Sequence, residues 1–212
     1  MEGAVSWNTV TRLGEAQILL PLALLVAAWL AWCMRERATA GTWLGLLGLA
    51  IALTTVSKLA FMGWGIGVTT LDFTGLSGHA MFATAVYPML ARIATTSGST
   101  GQQRWAVALG VALGLLIAMS RLAVQAHSLS EVVTGCALGL AASGLALRWH
   151  PIAPAPAMPL APMILLVGLT VVPWQLPPSL SHQMVTQLAL NLSNRSHPYT
   201  RRDLHLNTKS QS

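Results

Sequence analysis

Two short stretches of this chain carry residue types that can hold an anion and move protons. One is Ser77-Gly78-His79. The other is Ser120-Arg121, then five residues, His127, three residues and Glu131. Lys58 lies upstream of both. A helix beginning at Ser77-Gly78 exposes backbone N–H groups at the positive end of its dipole, which is an anion site. Lys58 and Arg121 add positive charge, and an arginine clamps phosphate oxygens bidentately. Two histidines can divide the work, one attacking phosphorus and one protonating the leaving oxygen. Glu131 lies one helical turn after His127, on the same face. There it can hold the imidazole in the tautomer that leaves the attacking nitrogen free.

The elements that must position these groups are membrane spans. Of the 212 residues, 54% are hydrophobic and 8% are charged, with a mean hydropathy of +0.60. A soluble domain carries about 25% charged residues. Apolar runs predict an all-α, polytopic membrane helix bundle of about six spans, at roughly 16–34, 43–64, 78–97, 104–121, 128–148 and 159–177. Residues 1–178 form the bundle on this reading, and 179–212 a polar, flexible tail with a short amphipathic helix at 180–192. Gly110/Gly114 and Gly135/Gly139 have the small-xxx-small spacing that lets helices approach closely, and Gly45 and Gly48 read the same way. Gly63-Trp64-Gly65 reads as a helix end running into a loop. Trp7, Trp64, Trp105, Trp149 and Trp174 mark span ends.

Composition also excludes functions. The net charge of +6 comes largely from Arg195, Arg201, Arg202 and Lys209 in the tail, without an aromatic-interleaved basic patch. Anionic lipid headgroups account for it, and no nucleic-acid partner is expected. Cys33 and Cys136 fall in apolar runs, so no disulfide framework is expected. No metal-ligand spacing is present.

Topology gathers the chemistry. Lys58 falls at the end of the second span, Ser77-Gly78-His79 opens the third, Arg121 closes the fourth, and His127 and Glu131 open the fifth. Two crossings return the chain to the same face, so all of these residues share one membrane surface. Arg35, Arg37, Arg104 and Arg148 mark the odd-numbered connections as cytoplasmic. The cluster and both termini then face outward, with the basic tail outside as well.

At these residues the chain resembles the type 2 phosphatidic acid phosphatase family, PAP2. That family's signature is a Lys with Arg-Pro seven residues on, then Pro-Ser-Gly-His, then Ser-Arg-x5-His-x3-Asp. Ser120, Arg121 and His127 match the third segment, with Glu131 for Asp. Ser77-Gly78-His79 match the second, with Leu76 for Pro. Lys58 alone matches the first, since Gly65-Ile66 stand where the family has Arg-Pro. Asp72 has no counterpart in the signature. The resemblance spans roughly residues 15–150.

It implies a phosphatase with no cofactor and no metal. His127 would be the nucleophile of a phosphohistidine, Glu131 its orienting group and His79 the general acid. Lys58, Arg121, Ser77 and Gly78 would hold phosphate. The expected substrate is a lipid phosphomonoester or pyrophosphate such as undecaprenyl pyrophosphate, phosphatidic acid or phosphatidylglycerol phosphate. The expected location is a bacterial inner membrane with the site facing outward. Two alternatives stay open: a lipid-linked phosphotransferase on the same scaffold, and a degenerate lipid-binding or transport protein that has lost the chemistry. Each residue also has a local structural role available. Lys58 can snorkel, Arg121 can anchor at the interface, and Ser77 can cap a helix. Ser128 with Glu131 makes a capping box that would turn Glu131 toward backbone.

Overall fold

The computed structural model describes residues 7–153 and 180–209. The described residues are helical throughout, apart from loops and one isolated bridge between Val68 and Phe73. The helices are α1 (Trp7–Arg12), α2 (Ala16–Trp32), α3 (Arg37–Trp64), α4 (Gly78–Ala94), α5 (Thr100–Ala123), α6 (Leu129–Trp149), α7 (Leu180–Ser193) and α8 (Arg201–Lys209), with a 3-10 turn at Thr69–Leu71. Among them α3, α5 and α6 are long and apolar enough to cross a membrane. α2 is apolar but shorter, at 17 residues. The expected sixth span, 159–177, and Trp174 lie outside the described residues.

The first turns of α3 and α5 run past the hydropathy boundaries for a simple reason. Hydropathy marks the stretch that tolerates lipid, whereas the helix continues as long as its backbone bonds and caps allow. α3 therefore begins at Arg37, six residues before its apolar run. α5 begins at Thr100, inside the expected polar turn, because Ser99 and Gln102 form a reciprocal capping box there. At the other end α3 stops where expected. Gly65 takes the left-handed conformation (φ 71°), and its N–H and that of Ile66 close back onto Phe61 and Ala60.

α4 is the centre of the bundle. It packs along α5 and α6 and also touches α2 and α3. Nearly every one of its side chains is buried, from Ala80 to Ile93. Because it faces protein on nearly every side, it can carry small and polar residues. A Cβ added at Gly110 would lie 2.6 Å from the Tyr87 carbonyl oxygen, and one at Gly135 would lie 2.6 Å from that of Ser77. Gly114 and Gly139 lie equally against α4. These four glycines bring α5 and α6 into backbone contact with α4. Gly45 and Gly48 differ from expectation, since a Cβ on either meets nothing within 4 Å.

Pro88 sits inside α4 and has no N–H for the Thr84 carbonyl. Ser143 of α6 supplies the missing donor, its Oγ lying 3.0 Å from Thr84 O. Trp43 of α3 donates in the same way to Ala85 O at 3.1 Å. Such repairs are what allow a proline inside a membrane helix.

The segment beyond residue 178 departs from a plain polar tail. The amphipathic helix expected to lie on the membrane at 180–192 is present as α7 and docks on the bundle. Its Ala189 is fully buried, and Ser193 Cβ lies 3.3 Å from the Cβ position of Gly63 on α3. Two small residues facing each other permit that close approach. α8 follows and packs its Leu204 against Phe61 and Gly67. Trp7, Trp64, Trp105 and Trp149 are exposed at or near helix ends. Cys33 and Cys136 are both free thiols.

Replacing Ser143 by Ala leaves Thr84 O without a donor at the proline. The expected cost is about 1 kcal/mol, read as a fall of about 2–4 °C in the thermal unfolding midpoint in detergent.

Candidate active site

The loop between α3 and α4 is built by local contacts that point its far end at α6. Val68 and Phe73 bond to each other through both backbone N–H groups, around the turn at Thr69–Leu71. Gly75 follows at φ 140°, and its Cβ position lies only 3.1 Å from Lys58 Cγ. A side chain there would push the loop off α3. Leu76 then donates its N–H to Ser57 Oγ at 3.0 Å. This accounts for leucine at the position where the signature has proline, because a proline has no N–H to give. Ser77 ends the loop, donating its N–H to the Glu131 carbonyl at 3.1 Å.

On the other side, α5 ends at Ala123 and the turn 124–128 carries His127 to the start of α6. Ser128 and Glu131 form a capping box, with Ser128 N 3.1 Å from Glu131 Oε2. His127 Nδ1 lies 2.6 Å from that same oxygen. Glu131 therefore does both things that the sequence left as alternatives. It caps the helix and holds the imidazole.

The Glu131 side chain is fully buried. Its Oε1 accepts from Thr74 N and Thr74 Oγ1, both at 2.6 Å. Its Oε2 accepts from His127 Nδ1, Ser128 N and Arg201 Nη2, the last at 2.9 Å. An ionised carboxylate can only accept, so Nδ1 of His127 carries the proton and Nε2 of the neutral ring keeps its lone pair. His127 lies in the turn between α5 and α6, and burial pushes its pKa below the ordinary imidazole value. The Lys58 and Arg121 charges push the same way, while the bond to Glu131 opposes them.

The remaining groups line the space beside α4's first turn. Lys58 Nζ lies 3.8 Å from the Cβ position of Gly78. His79 packs against Gly14 and lies within electrostatic range of Arg121, Lys58 and His127. Arg121 donates through Nη1 to Thr11 Oγ1 at 2.7 Å, which fixes the guanidinium while its buried Nε stays without a protein partner. Ser77 stands at the N-cap of α4, yet its side chain makes no cap bond, and its fully buried Oγ has no protein partner. The expected capping role is therefore not what its hydroxyl does. Ser120, by contrast, turns inward and bonds Ile117 O within its own helix.

Three residues that sequence reasoning missed belong to this neighbourhood. Thr54 lies one turn before Lys58 on α3. Its methyl lies 3.8 Å from the Cβ position of Gly78, and its buried Oγ1 has no protein partner. The i−4 spacing from Lys58 was the available signal. Thr74 carries the Glu131 carboxylate from the loop. Arg201, from a segment 70 residues away, reaches the same carboxylate, and no local pattern announces it.

Buried polar atoms are nearly always paired. Here, among the described residues, Thr54 Oγ1, Ser77 Oγ and Arg121 Nε have no hydrogen-bond partner, and the Lys58 ammonium and Thr54 both lie beside Gly78 at the start of α4. Among the described residues no group of three or more His, Cys, Asp or Glu side chains is arranged to hold a metal ion.

The pattern of the PAP2 superfamily matches residues 61–154. This chain belongs to the PAP2 superfamily. The match takes in the loop, α4, α5 and α6, and so both histidines, Arg121 and Glu131. A Klebsiella pneumoniae protein described as "Uncharacterized 22.5 kDa protein in cps region" is 33% identical over 212 residues, covering 95% of this chain and 98% of that protein. No solved structure gives a significant match.

Thr54→Val keeps the side-chain shape and removes the hydroxyl. Binding of inorganic phosphate should weaken about five- to tenfold, the equivalent of one hydrogen bond of about 1–1.5 kcal/mol. Calorimetric titration of wild type and variant in the same detergent measures this.

Proposed function

We propose that this PAP2 protein is an integral membrane phosphatase that hydrolyses a lipid phosphomonoester or pyrophosphate through a phosphohistidine on His127. The observation that carries the reading is the 2.6 Å contact between His127 Nδ1 and Glu131 Oε2, which leaves Nε2 of a neutral ring as the free nucleophilic atom. Phosphate would sit on Lys58, Arg121, Ser77 Oγ, Thr54 Oγ1 and the first N–H groups of α4. His127 Nε2 attacks phosphorus as the bond to the lipid oxygen breaks, and His79 gives its proton to that oxygen. His79 then takes a proton from water, which cleaves the P–N bond and returns His127 to its neutral form. The cations and helix dipole stabilise charge on the three equatorial oxygens throughout.

A lipid substrate is supported by the setting. The site opens at one end of a bundle whose α3, α5 and α6 have the length and composition of membrane spans. Undecaprenyl pyrophosphate, phosphatidic acid and phosphatidylglycerol phosphate remain the candidate substrates. The arginine pattern of the connections supports a bacterial inner membrane with the site outward. One observation favours the non-catalytic reading. Gly65 replaces the arginine of the family signature, so the site has one fewer cation for phosphate.

The experiment is phosphate release from a panel of lipid phosphates by detergent-purified protein with EDTA present. His127→Ala should lower release by about 10³-fold or more. Release that needs an added acceptor lipid would turn the reading to the phosphotransferase. No release under either condition would turn it to the lipid-binding protein.

The pH profile gives a second check. The nucleophile must be neutral, and the folded-state pKa of His127 is depressed. Activity is therefore retained as pH falls through the ordinary imidazole value of about 6.5 and is lost only below it. An acid limb of kcat/KM at or above that value would contradict His127 as the nucleophile.

A further inference from the structure

The chain's C-terminal segment meets the site at an ion cluster that the phosphatase reading does not use. Arg201 of α8 donates through Nη1 to the Asp72 carbonyl at 2.7 Å and also to the Asp72 carboxylate. Its Nη2 donates to Glu131 Oε2 at 2.9 Å and lies 3.4 Å from Thr74 Oγ1. His205 Nε2 holds the other Asp72 oxygen at 2.9 Å. Asp72 takes a left-handed backbone conformation at the end of the 3-10 turn, which aims its carboxylate at α8.

The docking is specified well beyond this cluster. Tyr199 N donates to Met62 O at 2.9 Å, and the Tyr199 ring lies 3.2 Å from the Cβ position of Gly65. Arg195 stacks 4.0 Å over the same ring. Leu204 is buried against Phe61 and the glycine loop. The place where the family signature has its arginine side chain is thus taken by Tyr199. A side chain at Gly65 would both strain the left-handed cap and strike that ring.

We propose that Arg201 is a positioning residue for His127, acting through Glu131, and that the segment 195–205 completes the site. Donor inventory decides between this and a role as phosphate ligand. A guanidinium has five N–H donors, and both of its terminal nitrogens are committed to protein acceptors. Arg201 shares Oε2 with His127 Nδ1. It therefore fixes where that oxygen points and withdraws part of its negative charge from the imidazole. The groups facing His127 are Glu131 on α6, Lys58 on α3, Arg121 on α5 and His79 on α4, with Arg201 and Asp72 behind the carboxylate. Removing Arg201 leaves the whole carboxylate charge to His127. Imidazolium is then favoured, and the fraction of free Nε2 falls at a given pH. The consequence for turnover rests on the phosphohistidine reading. The effect on the ring itself does not.

The test is an NMR titration of labelled His127 in the full-length protein in lipid nanodiscs, comparing wild type, Arg201→Gln and Arg201→Lys. The expected result is a titration midpoint that moves up in Arg201→Gln and stays near wild type in Arg201→Lys. Release of phosphate by Arg201→Gln should fall about 10- to 100-fold in kcat with little change in KM, and its acid limb should move up with the titration. A midpoint that is unchanged or lower in Arg201→Gln overturns the proposal, because a merely structural clasp would alter unfolding without moving the ring. If Arg201→Gln does not fold, Arg201→Met serves instead, and it too must raise the midpoint. The titration needs no turnover, so absent phosphate release from wild type would count against the phosphatase reading alone.

Discussion

The buried charge of Glu131 is the constraint around which this end of the molecule is organised. A carboxylate removed from water costs several kcal/mol unless it is paired and hydrogen-bonded. Glu131 meets that demand with five donors from three segments: Thr74 in the α3–α4 loop, His127 and Ser128 in the α5–α6 turn, and Arg201 in α8. Each segment has anchors of its own, but all three meet at this carboxylate, so the loop, the turn and the C-terminal segment are coupled through one side chain.

The rest of the bundle serves this arrangement by distance. Gly110 and Gly114 bring α5 against α4, and Gly135 and Gly139 do the same for α6. Gly135 lies under the Ser77 carbonyl, one turn along α6 from Glu131, whose own carbonyl receives the Ser77 N–H. A larger residue at that crossing would separate α4 from α6 at the level of the histidines. The packing that looks generic in the sequence is what sets the spacing of α4, α5 and α6 beneath the candidate site. Ser143 and Trp43 then repair the backbone where Pro88 interrupts α4, so the central helix continues below the site.

The all-helical class and five helix positions were legible in the sequence, because they follow from hydrophobic period and run length. Hydropathy placed α3 and α5 but clipped their polar first turns, where Arg37 and the Ser99–Gln102 box extend the helices. The His127–Glu131 contact was legible from i, i+4 spacing. What it could not reveal was that one oxygen both caps and orients, since that depends on where the Ser128 N–H and the ring converge in space. Thr54 was hidden by its ordinary chemistry. Arg201 and Asp72 were hidden by distance along the chain: a polar tail with four basic residues reads as a headgroup contact until its fold brings one of them to a buried anion.

Two of the departures from the PAP2 signature, Glu131 and Gly65, share a physical explanation. Glu131 is one methylene longer than the family's aspartate. That length lets a carboxylate rooted in the first turn of α6 reach past its own cap to Thr74 while keeping His127 and leaving Oε2 open to Arg201. Gly65, in place of arginine, ends α3 in a left-handed cap and leaves room for Tyr199, which seats the segment that carries Arg201. The longer acid creates a place for an extra cation, and the missing side chain creates the path by which that cation arrives. Either change alone would leave a buried carboxylate short of charge or a docking groove without a partner, and together they close one cluster.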